Sequence, residues 1–253
     1  MTMLRKSIWM AWLGAVLSMA GMPAANGATY LNVSRVIISE KSGEAQPQLT
    51  NAGEQPVLFQ IWIDKGDTAV SPEKLEVPFV VDNPVFRLDP GNTRRVRILL
   101  DRARLSLPQD RESLFWLNVL EVPASPPVQR SSQVQLAFQS RVKLMYRPAA
   151  LPGGLDDAVV GQLRFSLRCS AAGASLHVGN PTAFHHTILR VRPGADVPAQ
   201  MRDDVLRPGE TISVALPSAH PPIAPGGAVS FEYINDFGAV IEAHGKIGES
   251  DCP

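Results

Sequence analysis

Beyond its first thirty residues the chain alternates apolar and polar side chains over short runs, and it breaks those runs with Gly, Pro, Asn and Asp. A period of two lines one face of a pleated strand, and no long stretch repeats apolar residues at the helical period of 3.6, so the pattern predicts strands. They are expected at 31–38, 46–50, 57–64, 78–88, 93–100, 113–122 and 134–146, the number of an immunoglobulin-like β-sandwich. Pro84 interrupts the fourth and assigns it to an edge or bulge, because proline donates nothing to a ladder. Asn51-Ala52-Gly53 and Asp89-Pro90-Gly91-Asn92 read as turns. Pro and Gly then concentrate at 148–154, as at a domain boundary. The strand rhythm resumes at 162–168, 174–179, 187–191, 211–215, 229–235 and 240–246. The fold class read from this is all-β, with one domain at 28–148 and a smaller one at 149–253.

The last strand before the boundary carries more than a core. Its even positions read Val134, Leu136, Phe138, Ser140, Val142, Leu144 and Tyr146, and its odd ones Gln133, Gln135, Ala137, Gln139, Arg141, Lys143 and Met145. A small domain rarely needs so long a strand. Its leading part is therefore expected to overhang the sheet and offer Val134, Leu136 and Phe138 to another chain by strand addition. Lys143 stands five residues after Phe138, so a straight strand points them to opposite faces, and a bulge or strong twist near Ser140 is the expected way to change that relation.

The apolar run at 8–20 stands outside this pattern. Arg5 and Lys6 precede it and the small residues Ala24, Ala25, Gly27 and Ala28 follow, the layout of a cleaved secretion signal at 1–27. The run is shorter than the roughly 20 apolar residues of a membrane span, so no membrane insertion of the mature chain is expected. Cleavage would remove two of the 24 basic residues and none of the 24 acidic ones, leaving a formal charge of −2. That balance gives no reason to expect a nucleic acid as partner. Cys169 and Cys252 are the only cysteines; an oxidising compartment favours a disulfide between them, the alternative being two thiols with one on a frayed tail.

The chain has no G-x-S-x-G elbow, H-E-x-x-H, phosphate-binding G-x-x-x-x-G-K-[ST] or zinc-type Cys–His spacing. No enzyme activity, metal or cofactor is therefore expected. His185-His186 reads as one exposed and one packed imidazole, because strand neighbours point to opposite faces. Asp156-Asp157 and Asp203-Asp204 read as solvated turns.

Several segments together resemble the PapD-like periplasmic pilus chaperones of the chaperone–usher pathway. They are Arg35-Val36-Ile37; Pro78-Phe79-Val80-Val81 with Pro84 and Phe86-Arg87-Leu88; Asp110 to Asn118 (DRESLFWLN); Arg141 to Pro148 (RVKLMYRP); Asn180-Pro181-Thr182; and Asp236-Phe237-Gly238-Ala239. The resemblance implies two immunoglobulin-like domains in an L-shaped molecule with a cleft between them. It further implies that Arg35 and Lys143 bind the C-terminal carboxylate of a pilus subunit, and that Val134, Leu136 and Phe138 form the donor strand. Glu112, Arg147 and Asp236 are implied to be ion pairs linking the domains. The expected partners are pilus or fimbrial subunits and an outer-membrane usher, in the periplasm, with a self-capping oligomer allowed when no subunit is bound. The short connection from Val122 to Ser132 resembles the subgroup with a short loop before the donor strand. Asn83-Pro84 and Ala183-Phe184-His185 depart from the family pattern. A structural or adhesive pilus component and a secreted hydrolase are the rival classes. The first would not need Arg35, Lys143 and a second domain together, and the second should show convergent acid–base groups.

Overall fold

The computed structural model describes residues 29–124, 136–151, 153–170, 173–194, 199–200, 205–217 and 225–252. The expected secretion signal at 1–27, Val134 and Asp203-Asp204 lie outside the described residues.

The first domain holds β1 (Thr29–Leu31), β2 (Arg35–Ser39), β3 (Glu44–Ala45), β4 (Gln48–Asn51), β5 (Val57–Asp64), β6 (Phe79–Val81), β7 (Val85–Leu88), β8 (Thr93–Arg95), β9 (Ile98–Leu100), β10 (Ser113–Pro123) and β11 (Phe138–Arg147). One sheet runs β2-β11-β10-β5-β7, and two three-stranded sheets, β1-β4-β8 and β3-β9-β6, complete the domain. Alternation explains the packing. β5 buries Val57, Phe59, Ile61 and Ile63 and turns Leu58 and Gln60 outward, and β10 buries Phe115, Leu117 and Val119 against them. Leu144 and Tyr146 of β11 close the same core.

Three expected strands are reshaped. The stretch at 31–38 divides into β1 and β2, which belong to different sheets. The stretch at 93–100 divides likewise: β8 pairs with β4 and β9 with β3 and β6. At that crossing the Val96 amide donates to the Pro47 carbonyl at 2.8 Å. Around Pro84 the chain leaves one sheet and enters another, with Asn83 at φ 48°, a left-handed conformation that asparagine tolerates better than most residues.

The second domain holds the short helix α1 (Asp157–Val160) and strands β12 (Arg164–Ser170), β13 (Gly173–Gly179), β14 (His186–Pro193), β15 (Ala199–Gln200), β16 (Val205–Leu206), β17 (Thr211–Ala215), β18 (Ala228–Ile234) and β19 (Val240–Ser250). Asp156 caps α1 by accepting from the Val159 amide at 2.9 Å, and both Asp156 and Asp157 are exposed. β19 changes partner along its length: 240–246 pair with β18, and from Ile247 onward it pairs in parallel with β12. The strand thereby wraps one core of Phe165, Leu176, Val178, Phe231 and Tyr233. Cys169 on β12 is bonded to Cys252 just past β19, across 83 residues. Closing a loop of that length removes about 4 kcal/mol of unfolded-chain entropy.

Candidate functional site

β11 is paired unequally along its two edges. Its β10 ladder runs without a shift from Glu121↔Phe138 to Ser113↔Tyr146. The bulge expected near Ser140 is therefore absent, because every residue from 138 to 146 has its partner on β10. Phe138 and Lys143 accordingly face opposite sides. On the other edge β2 runs parallel to β11, but only from Arg35↔Lys143 to Ser39↔Arg147. Among the described residues no strand covers that edge at 138–142. Leu136 and Phe138 stand 61% and 58% exposed, beyond the end of the core that Leu144 and Tyr146 enter.

Where β2 begins, Arg35 and Lys143 are directly opposed, and opposed residues share a face of the sheet. It is the face away from the first core. Arg35 is buried there, its Nη1 donating to the Ile234 carbonyl of the second domain at 2.9 Å. Lys143 is half-buried, its ammonium 5.7 Å from the centre of the Trp116 ring. Two cations on opposed positions of one face suit one carboxylate, through short charge-assisted hydrogen bonds.

Farther along the same face lies the ion cluster. Arg147 reaches Glu112 at 2.7 Å and grips Asp236 with two bonds of 2.8 and 3.0 Å. Glu112 also accepts from the His185 amide at 2.8 Å, and its own amide donates to the Ala183 carbonyl at 2.9 Å. Asp236 accepts from the Leu155 amide at 3.1 Å, and the Arg147 guanidinium lies over the Phe184 ring. Glu112 and Arg147 come from the first domain, the other groups from the second. All three charges are buried or half-buried. Burial alone would push the Asp236 carboxyl upward and the Arg147 guanidinium downward; the bonds between them outweigh it, lowering Asp236 and raising Arg147 from their ordinary values.

The loop and hairpin that meet this cluster are stiff for local reasons. Asn180 Nδ2 donates to the Phe184 and Leu206 carbonyls at 2.7 and 3.2 Å, while its Oδ1 accepts from the Thr182 amide and hydroxyl. At the β18–β19 hairpin, Asn235 Oδ1 accepts from the Phe237 and Ala239 amides. Gly238 has φ +85°, and a Cβ there would stand 2.6 Å from Ser34 Oγ, so glycine is required. The histidines correct the sequence reading: His185 and His186 are both buried. His185 precedes β14 and is covered by Glu112, whereas His186 begins the strand and meets Thr182 Oγ1 at 2.9 Å. Burial first of all, opposed in part by the Glu112 charge, lowers the His186 pKa to about 4.

The sequence reading missed Asp64, Trp116, Arg141 and Phe184 around this face. A buried aspartate ending β5, where the alternation would place an outward residue, was the one available signal. Among the described residues no group of His, Cys, Asp and Glu could hold a metal ion, and no helix is long and apolar enough to cross a membrane.

Residues 28–152 match the family described as pili and flagellar-assembly chaperone, PapD N-terminal domain, and residues 158–245 match the pili assembly chaperone PapD, C-terminal domain. The chaperone protein FimB/FhaD of Bordetella pertussis is 33% identical over 251 residues, spanning 97% of this chain and 98% of its own. The probable fimbrial chaperone YadV of Escherichia coli is 34% identical over 220 residues, 85% of this chain and 87% of its own. A crystal structure of the E. coli YadV chaperone superposes with a TM-score of 0.71 at 31% identity, covering 87% of this chain and 100% of that one. A chain of the Salmonella enterica complex between SafA pilin and SafB chaperone does so with a TM-score of 0.70 at 26% identity, covering 88% and 97%.

Proposed function

The chain belongs to the PapD-type pilus assembly chaperones, and on that premise we propose that it lends β11 to an incomplete pilus subunit, anchors the subunit's C-terminal carboxylate between Arg35 and Lys143, and delivers it to an outer-membrane usher. One observation carries the reading. The uncovered edge of β11 at 138–142 ends where β2 begins, at the opposed Arg35 and Lys143. A subunit strand added to that edge lies in line with β2, and its end meets the two cations. If that end is the carboxyl terminus, the added strand runs toward Arg35 and is parallel to β11, the direction β2 itself takes.

Leu136 and Phe138 then enter the subunit's groove as alternate side chains of one strand. Each large apolar side chain so buried contributes about 1.5–3 kcal/mol. Val134, two residues earlier, continues the same alternation. Capture of a pilin by the relative in the SafA–SafB complex supports the choice of partner. Glu112, Arg147 and Asp236 hold the domains at 28–148 and 149–253 at a fixed angle, which keeps Arg35 against the Ile234 carbonyl. The signal layout at 1–27 supports a periplasmic address, and the short 122–132 connection supports the short-loop subgroup.

The test replaces Arg35 with Met and Lys143 with Ala separately, and measures co-purification of a periplasmic pilus subunit beside circular dichroism of the free chaperone. Removing one partner of a desolvated charge contact costs about 2–5 kcal/mol, so each variant should stay folded and lose more than about tenfold in affinity. Undiminished capture by both folded variants would refute the anchor.

A further inference from the structure

The tip of the β18–β19 hairpin presents an aromatic side chain to solvent beside the place where β2 begins. Phe237 is 95% exposed, although a phenylalanine is ordinarily found in a core. Its backbone is nonetheless held. Asn235 Oδ1 accepts from the Phe237 and Ala239 amides, the Asn235 amide donates to the Ala239 carbonyl at 3.0 Å, and the Gly238 amide donates to the Asn235 carbonyl at 3.0 Å. Asp236, the residue before it, is gripped by Arg147. The ring is thus carried on a fixed support, and an aromatic anchor with two side-chain torsions loses little freedom when a partner covers it.

Two contacts fix where the hairpin stands. Ile234 at its foot takes the Arg35 guanidinium on its carbonyl at 2.9 Å. At its tip, Gly238 is so near Ser34 that a Cβ would lie 2.6 Å from the serine oxygen. Ser34 immediately precedes Arg35, the first residue of β2 and the register partner of Lys143. Phe237 therefore stands next to the end of the uncovered β11 edge, where a strand laid in line with β2 stops. Val240, 56% exposed, is the register partner of Ile234 and extends the apolar surface along the hairpin.

We infer that Phe237 is a specificity-determining residue for the captured subunit: its ring packs on a large apolar side chain carried by one of the subunit's last two residues, while Arg35 and Lys143 hold the carboxylate that ends the chain. This role rests on the carboxylate-anchor reading above. Charge selects the occupant, because an apolar surface beside two cations suits a chain end that is itself apolar and anionic. Position selects it as well, because the hairpin tip adjoins the edge that the subunit's strand is proposed to take.

The test is the binding of synthetic peptides of alternating Val and Thr whose last two residues are Ala-Ala, Ala-Phe or Phe-Ala, each with a free C-terminal carboxylate, and of the Ala-Ala peptide as its C-terminal amide. They are titrated into wild type, Phe237→Ser and Phe237→Tyr. A side chain that is 95% exposed supports no core, so both variants should keep the circular dichroism and unfolding midpoint of wild type. Wild type should bind one of the two Phe-bearing peptides about tenfold more tightly than the Ala-Ala peptide, the scale of one partly buried aromatic side chain. In Phe237→Ser that gain should shrink to within about twofold, with the preference for carboxylate over amide unchanged; Phe237→Tyr should keep both. A carboxylate preference without any gain from Phe, or a gain that survives in Phe237→Ser, overturns the role of Phe237 and leaves the anchor standing. A dimer of the free chaperone that Phe237→Ser abolishes, with the peptide gain intact, likewise overturns it and assigns the ring to a second copy of this chain. No preference for carboxylate over amide in wild type overturns the anchor and the role of Phe237 together.

Discussion

The two halves of β11 share one alternation and one unbroken ladder with β10, yet they live in different surroundings. From Lys143 to Arg147 the strand is flanked by β2, backed by the first core, and covered on its outer face by the 182–186 loop and the β18–β19 hairpin. From 138 to 142 β2 no longer flanks it and only Val142 still packs against that core, and Phe138 is exposed although it is in phase with Leu144 and Tyr146. Period two sorts side chains into faces, but what a face meets depends on elements far away in sequence. The buried half fixes the molecule, and the open half is the one proposed to take a partner. The boundary between them is the Arg35–Lys143 pair.

The largest effect should come from breaking the buried half. Arg147→Ala leaves the buried Glu112 and the half-buried Asp236 without their shared cation, and removing one partner of a buried ion pair costs about 3–5 kcal/mol. Denaturant unfolding of the free protein should show that loss. A change below about 1 kcal/mol would mean the cluster behaves as a surface pair.

The second-domain loop and strand that cover this half should also respond to acid, by a slightly smaller amount. His186 is buried with a pKa of about 4, below its ordinary 6.5. Between those values the unfolded chain binds a proton that the folded one does not, so stability falls as pH drops through that window. The full loss is on the order of 3 kcal/mol. Asp236, lowered by Arg147, adds to the loss only below its ordinary value of 3.8, as the pH falls toward its depressed folded value. Replacing His186 with Leu should flatten the stability profile between about pH 6.5 and 4. An unchanged slope would show that His186 is charged in the folded state.

Much of this division is legible in the residues. The alternation at 57–64 and 113–122 marks strands whose observed limits nearly coincide with it, and the excess length of the 134–146 run points to a face left over for a partner. The split of 93–100 into β8 and β9 is not legible, because both halves suit a strand and only the sheet each one joins separates them. The burial of both histidines escapes a local rule because Glu112 covers His185 from 73 residues away. Asp64 and Arg141, 77 residues apart, each read as an ordinary charge until the fold opposes them across Trp116.

The segment just ahead of the open half admits the smallest change with the clearest meaning. Leu136→Glu alters a side chain that is 61% exposed in the free protein, so its unfolding free energy should stay within about 0.5 kcal/mol of wild type. In the complex the same position is to be buried in the subunit, and losing that burial should weaken capture by at least about 1.5–3 kcal/mol. Measured side by side, subunit capture should fall more than about tenfold while the unfolding midpoint of the free chaperone is unmoved. A variant that unfolds would place Leu136 in the chaperone's own core, and one that captures subunits as wild type does would show that the segment leading into β11 is not part of the strand it lends.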